Sequence, residues 1–163
     1  ENVFENIAIT YLEKSLWVGY GGMYCWDGKN DIVTIANPQN TNYPIDIHKS
    51  NLYRVDVYRA SHLKTMKGFI YKKINKNDFY VNNNWIRYGD DLIIMCAALE
   101  MSPTNKIEAF NFPTYVYNSS DSVITRTVTE QKVNSNIETL IRERASYQTL
   151  DIDKSNKVIS ARF

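Results

Sequence analysis

Tyr88-Gly89-Asp90-Asp91 runs directly into Leu92-Ile93-Ile94-Met95-Cys96-Ala97-Ala98-Leu99, eight apolar residues in succession, and the reading of this stretch decides the fold. Two adjacent aspartates in a hairpin hold their carboxylates side by side, an arrangement that lets them share divalent cations. The same letters also form a polar turn, with the apolar run following as a buried strand. Metal chemistry needs a further carboxylate in acid-rich and glycine-rich surroundings, and Asp27, Asp31, Asp46 and Asp56 lack them. The expected structure is therefore the turn and the strand.

Working outward, strand signals recur at short intervals. Residues 52–58, 66–71, 78–81, 85–88 and 92–99 each carry apolar or β-branched side chains, and Asn82-Asn83-Asn84 separates the third from the fourth. Upstream, Trp17 to Trp26 is an aromatic extended stretch containing Gly19, Gly21 and Gly22, glycines that mark a bulge or a close backbone approach. Asp27-Gly28-Lys29-Asn30 is a turn, and Ile32 to Ile35 completes a hairpin. Residues 37–44 read as an exposed connection, and 109–117 and 123–128 are further strand candidates. Many short strands with polar turns predict an antiparallel, all-β sandwich.

Helices are expected at the two ends. Phe4, Ile7, Ala8, Tyr11 and Leu12 recur at helical spacing and give one apolar face. Ser135-Asn136-Ile137-Glu138 fits a capping box, and Ile137, Leu140, Ile141 and Ala145 continue it as a helix over 136–147, with an extended end at 158–159. Residues 1–105 thus form the β core and 106–163 a C-terminal extension.

Composition excludes several function classes. With 163 residues the chain holds one domain and is too short for the palm, fingers and thumb of a polymerase. The 19 basic and 18 acidic residues leave a net charge of +1, so any nucleic-acid contact has to be local. Apolar runs are too short to span a bilayer, and the first twelve residues lack a signal-peptide pattern. Cys25 and Cys96 read as buried thiols rather than a disulfide. His48 and His62 are isolated, so no zinc site is expected. Asn118-Ser119-Ser120 is a formal glycosylation sequon.

Three constellations bear on chemistry. Ser61-His62 suggests a nucleophile and its base, but neighbours in an extended stretch point to opposite faces. Cys25 with either histidine is the other route to a hydrolase, through a thiolate pair. Lys64, Lys67, Lys72, Lys73 and Lys76, with Tyr71 and Phe79 among them, form the one local basic stretch. It suits single-stranded RNA through phosphate contacts and stacking, or else a strand with one solvated face. The 12 Tyr and 3 Trp supply packing or interface area at low side-chain entropy cost.

Residues 11–24, Tyr-Leu-Glu-Lys-Ser-Leu-Trp-Val-Gly-Tyr-Gly-Gly-Met-Tyr, resemble the helix-to-strand passage of picornavirus-like capsid proteins, especially those of insect and related RNA viruses. Gly89-Asp90-Asp91 and its apolar run resemble the turn and last strand of the same jelly roll, in the right order and about seventy residues on. The resemblance implies a jelly-roll capsid subunit, either the C-terminal part of a domain completed by another chain or a complete small sandwich. Its partners would be other capsid chains of the same virion, with local contact to genomic RNA, an unspecified host receptor and no membrane. Function would lie in interfaces, with no catalytic residue, cofactor or metal.

Trp17, Tyr20, Trp26, Trp85, Ile93, Met95, Ile137, Leu140 and Ile141 are the expected packing or interface residues. Gly19, Gly21, Gly22 and Gly89 are the expected permissive backbone positions. An independent attachment or receptor-binding module is the alternative from another class.

Overall fold

The computed structural model describes residues 2–29, 34–35, 42–86, 88–118 and 128–151. The expected features at 37–41, 123–127 and 158–159 lie outside them. Asn2 caps α1 (Val3–Lys14) by accepting the Glu5 amide at 3.3 Å, and Ser15 ends the helix in a left-handed conformation. The chain then enters β1 (Val18–Trp26). The helix-to-strand passage is thus as the sequence predicts.

β1 is the centre of the main sheet. β3 (Lys64–Met66) pairs antiparallel with its first half and β2 (Thr34–Ile35) with its second, so the expected hairpin after Trp26 forms. β6 (Ile107–Asn118) lies along its other edge in parallel. Register between β1 and β6 shifts around Gly22, where Tyr20 pairs with Ala109 but Gly22 with Pro113. The close approach expected of the glycines is real: a Cβ on Gly21 would stand 1.8 Å from Thr114 Oγ1.

Alternation along β1 sends side chains to two layers. Val18 and Tyr20, with Ile107 and Ala109 of β6, enter the main core. On the other face Leu16 and Phe110 meet Ile7 of α1, with Val3 and Tyr11 packed against them. The sheet is therefore covered by helix on both sides.

The covering element on the main-core side overturns the all-β expectation. The run after Gly89 is α4 (Asp90–Met101), and Leu92, Ile93 and every residue from Met95 to Met101 on it are buried. A helix apolar on all sides shows no period, so its length and ends decide its type. Gly89 precedes it at φ +83°, Asp90 and Asp91 favour the positive N-terminal end, and Ser102-Pro103 ends it. Among the described residues helix makes up about 40% and strand 23%, so the jelly-roll sandwich is replaced by a mixed α/β arrangement.

Other expected strands change with it. Residues 52–58 form turns after α2 (Ile45–Ser50), and 66–71 becomes the end of β3 followed by α3 (Gly68–Tyr71). The strands expected at 78–81 and from 85 on reduce to a 3-10 turn (Lys76–Phe79) and the hairpin β4 (Tyr80–Val81) and β5 (Asn84–Trp85). The second helix is α5 (Val128–Arg142), which begins well before the expected cap. Ser135 lies inside it, its carbonyl accepting the Thr139 hydroxyl at 3.1 Å, while Glu138 pairs with Arg142 at 2.9 Å.

One ion pair sits within the core. Arg54 donates to both carboxylate oxygens of Glu100, at 2.6 and 3.0 Å, and to the Ile141 carbonyl at 2.7 Å. Glu100 is fully buried and Arg54 is 4% exposed. Burial opposes the charge on Arg54, and the Glu100 carboxylate more than offsets it.

Candidate functional site: an aromatic cleft beside helix α4

The sequence from Ile70 to Ile94 builds a cleft of about 510 Å³ on one side of α4. Ile94 and Asp90 of α4 line it, with Tyr71, Lys72, Ile74 and Lys76. Its wall is the β4–β5 hairpin with the 3-10 turn before it, which contribute Phe79, Tyr80 and Trp85. The volume suits a small ligand, and most of the lining is apolar with a few charged groups.

Local chemistry explains the wall. Asn82 and Asn83 both have positive φ, at 50° and 62°, which is the backbone a two-residue hairpin turn requires and which asparagine tolerates. The register places Tyr80 opposite Trp85, and the Ile86 amide donates to the Phe79 carbonyl at 2.8 Å. As a result Phe79 stacks on the Trp85 indole at 5.2 Å and 9°, while Tyr80 meets it edge-on at 5.3 Å. Phe79 is buried but Trp85 is 60% exposed. One indole face is packed on Phe79, and the side chain still presents most of its surface to solvent.

The single basic stretch of the sequence divides into separate roles. Lys64 binds Asp91 at 2.6 Å and lies over the Tyr58 ring, and Lys67 lies over Tyr11. Lys72 and Lys76 line the cleft with Tyr71 and Phe79. The strand with one solvated face that this stretch also suggested is replaced by β3, α3 and the 3-10 turn.

The remaining candidates disperse. Asp90 faces the cleft while Asp91 is held by Lys64, so the two carboxylates serve different places. Among the described residues no group of three or more His, Cys, Asp or Glu side chains could hold a metal ion. His48 Nδ1 lies 2.6 Å from the Tyr53 hydroxyl, and the His62 ring packs against Tyr115. Cys25 and Cys96 are both free; burial pushes the Cys96 thiol up to about 12, far from a reactive thiolate.

The expected packing residues separate into two groups. Trp17, Tyr20, Ile93, Met95 and Ile141 are buried, and Ile137 packs against them. Trp26, Trp85 and Leu140 are exposed at 36%, 60% and 43%. Among the described residues no helix is long and apolar enough to cross a membrane. No protein-family model, curated protein or solved structure matches this chain.

Proposed function

We propose that this protein is a binding module whose aromatic cleft takes a single-stranded RNA segment, with one base on Trp85 and flanking phosphates near Lys72 and Lys76. What supports the reading is Trp85 itself: a side chain 60% exposed, braced on one face by Phe79, in a cleft that also holds two lysines. Every base has a π-face, so stacking is sequence-tolerant and contributes about 1–3 kcal/mol per base. A net charge of +1 supplies no general attraction, so binding is local and modest.

The test is fluorescence anisotropy of a dye-labelled single-stranded oligouridylate of about eight nucleotides, a readout that does not depend on Trp85. Trp85→Ala should weaken binding at least about tenfold and also cost about 0.5–1.5 kcal/mol of stability, the worth of its aromatic contacts with Phe79 and Tyr80. Two phosphate contacts give a slope of about −1.4 in log K against log salt. Binding that survives Trp85→Ala, or that has no salt dependence, would remove the reading.

A second reading, as a subunit of a larger assembly such as a picornavirus-like capsid, is favoured by α1. That helix leaves Phe4 73% and Leu12 80% exposed. Sedimentation of the chain isolated from its natural source separates the two, because a capsid subunit is recovered in a uniform particle of megadalton mass.

A further inference from the structure

The wall of the cleft has little of its own to hold it in place. The β4–β5 ladder comprises two residue pairs, Tyr80 with Trp85 and Val81 with Asn84, and an isolated hairpin of that size is marginal in water. Phe79 and Ile86 at its ends and Val81 within it pack on the core, and the rest of its placement comes from side chains that reach it.

Two side chains that follow α5 reach the segment carrying the wall. The Arg144 guanidinium donates to the carbonyls of Asp78 and Tyr80. The Tyr147 hydroxyl donates to Asp78 Oδ2 at 2.6 Å and accepts the Asn75 amide at 2.7 Å. Backbone or side chain at 75, 78 and 80 is thereby tied to this strap, on either side of Phe79. The strap is in turn fastened to α4: the Tyr147 amide donates to Glu100 Oε2 at 2.9 Å, and the Leu150 amide to the Met101 carbonyl at 2.9 Å. Asn51 Nδ2 adds a bond to the Tyr147 carbonyl at 2.7 Å.

We infer that Arg144 and Tyr147 are positioning residues for the cleft: by fixing the 75–80 segment they set where Trp85 stands, so ligand binding and docking of the strap are coupled. The ligand half of this inference rests on the proposed RNA binding; the placement of Trp85 does not. Coupling of this kind is reciprocal, so a ligand on Trp85 also tightens the strap. The route is a contiguous set of hydrogen bonds from Glu100 through Tyr147 and Asp78 to the hairpin.

The experiment uses the full chain labelled with 5-fluorotryptophan, whose resonances are assigned by Trp→Phe substitution at 17, 26 and 85. Spectra of Arg144→Ala, Arg144→Lys and Tyr147→Phe are compared with the parent, followed by titration with the oligouridylate. The Trp85 resonance should shift or broaden in Arg144→Ala and Tyr147→Phe while that of Trp17 stays in place, and affinity should fall about tenfold. Arg144→Lys, which keeps the charge but cannot span two carbonyls, should fall between. Tyr147→Phe retains the ring and serves if Arg144→Ala does not fold.

An unmoved Trp85 resonance in both Arg144→Ala and Tyr147→Phe would overturn the inference. A shifted resonance with unchanged affinity would overturn the coupling. If the parent chain does not bind the oligonucleotide, the RNA reading fails, and the Trp85 resonance alone decides whether the strap positions the wall.

Discussion

Residues 17–26 and 90–101 are both apolar stretches that contain or adjoin glycine, yet one is the central strand of the sheet and the other a helix buried over most of its length. The difference lies in which side chains fill them. In its first half the strand alternates Val18 and Tyr20 with Gly19 and Gly21, so the backbone can approach a neighbouring layer there. Seven of the helix's twelve residues are Leu, Met, Ala or Glu, which lose little freedom in a helix. An apolar run lacking a period is therefore read from its composition and its ends rather than from its hydrophobicity.

The largest way to break the contrast is to disturb the one buried charge on α4, Glu100. Arg54→Ala removes the cation that faces the buried Glu100 carboxyl and should cost about 3–5 kcal/mol in urea unfolding. Replacing the pair together, Arg54→Met with Glu100→Leu, should recover most of that loss, because no charge then stays buried. An equal loss in the double variant would mean that packing, not charge, sets the cost.

Shape comes next. Ile93→Ala on α4 should cost about 2–5 kcal/mol, the range for a large core residue truncated where neighbours cannot collapse. On β1 the opposite change is the harmful one: Gly21→Ala puts a Cβ 1.8 Å from Thr114 Oγ1 and should cost about 1–3 kcal/mol. A neutral Gly21→Ala variant would show that β1 and β6 are spaced more widely than described.

The smallest effect is in pH. His48 lies against Tyr53 beside the α4 core and His62 against Tyr115 of β6, and burial lowers both from the ordinary value of 6.5. The unfolded chain then binds protons first as pH falls below 6.5. Stability is complete above that value and declines as pH drops through the folded values. Denaturant midpoints between pH 7.5 and 5 should fall less in His48→Gln and in His62→Gln than in the parent; a midpoint that rises on acidification would contradict the burial of both rings.

Much of the sheet was legible in the sequence. The first helix, β1 with its glycines, the hairpin to β2 and the strand over 109–117 all follow from periodicity, turns and glycine placement. The signals for α4 were also present, in Gly89, the paired aspartates, Ala97-Ala98 and Ser102-Pro103, but eight apolar letters in a row suit a buried strand equally well. The capping box at Ser135 misled because four matching letters also occur inside a longer helix.

The cleft was visible only in fragments. Tyr71, Lys72, Lys76 and Phe79 stood out as one basic and aromatic stretch, Trp85 as an interface residue and Asp90 as part of a turn. The fold gathers them around one space. Arg54, Glu100, Arg144 and Tyr147 gave no local signal, because their partners are 46 residues away or more.

The most direct test of the account is a two-dimensional amide and indole NMR titration of the labelled chain with the single-stranded oligouridylate. Binding at the cleft predicts saturable shifts at residues 71–86, Asp90 to Ile94 and the Trp85 indole, with smaller ones in the strap at 144–150, and leaves the Trp17 indole and the amides of α1 unmoved. No shifts, or shifts centred on α1 or on β6, would contradict it.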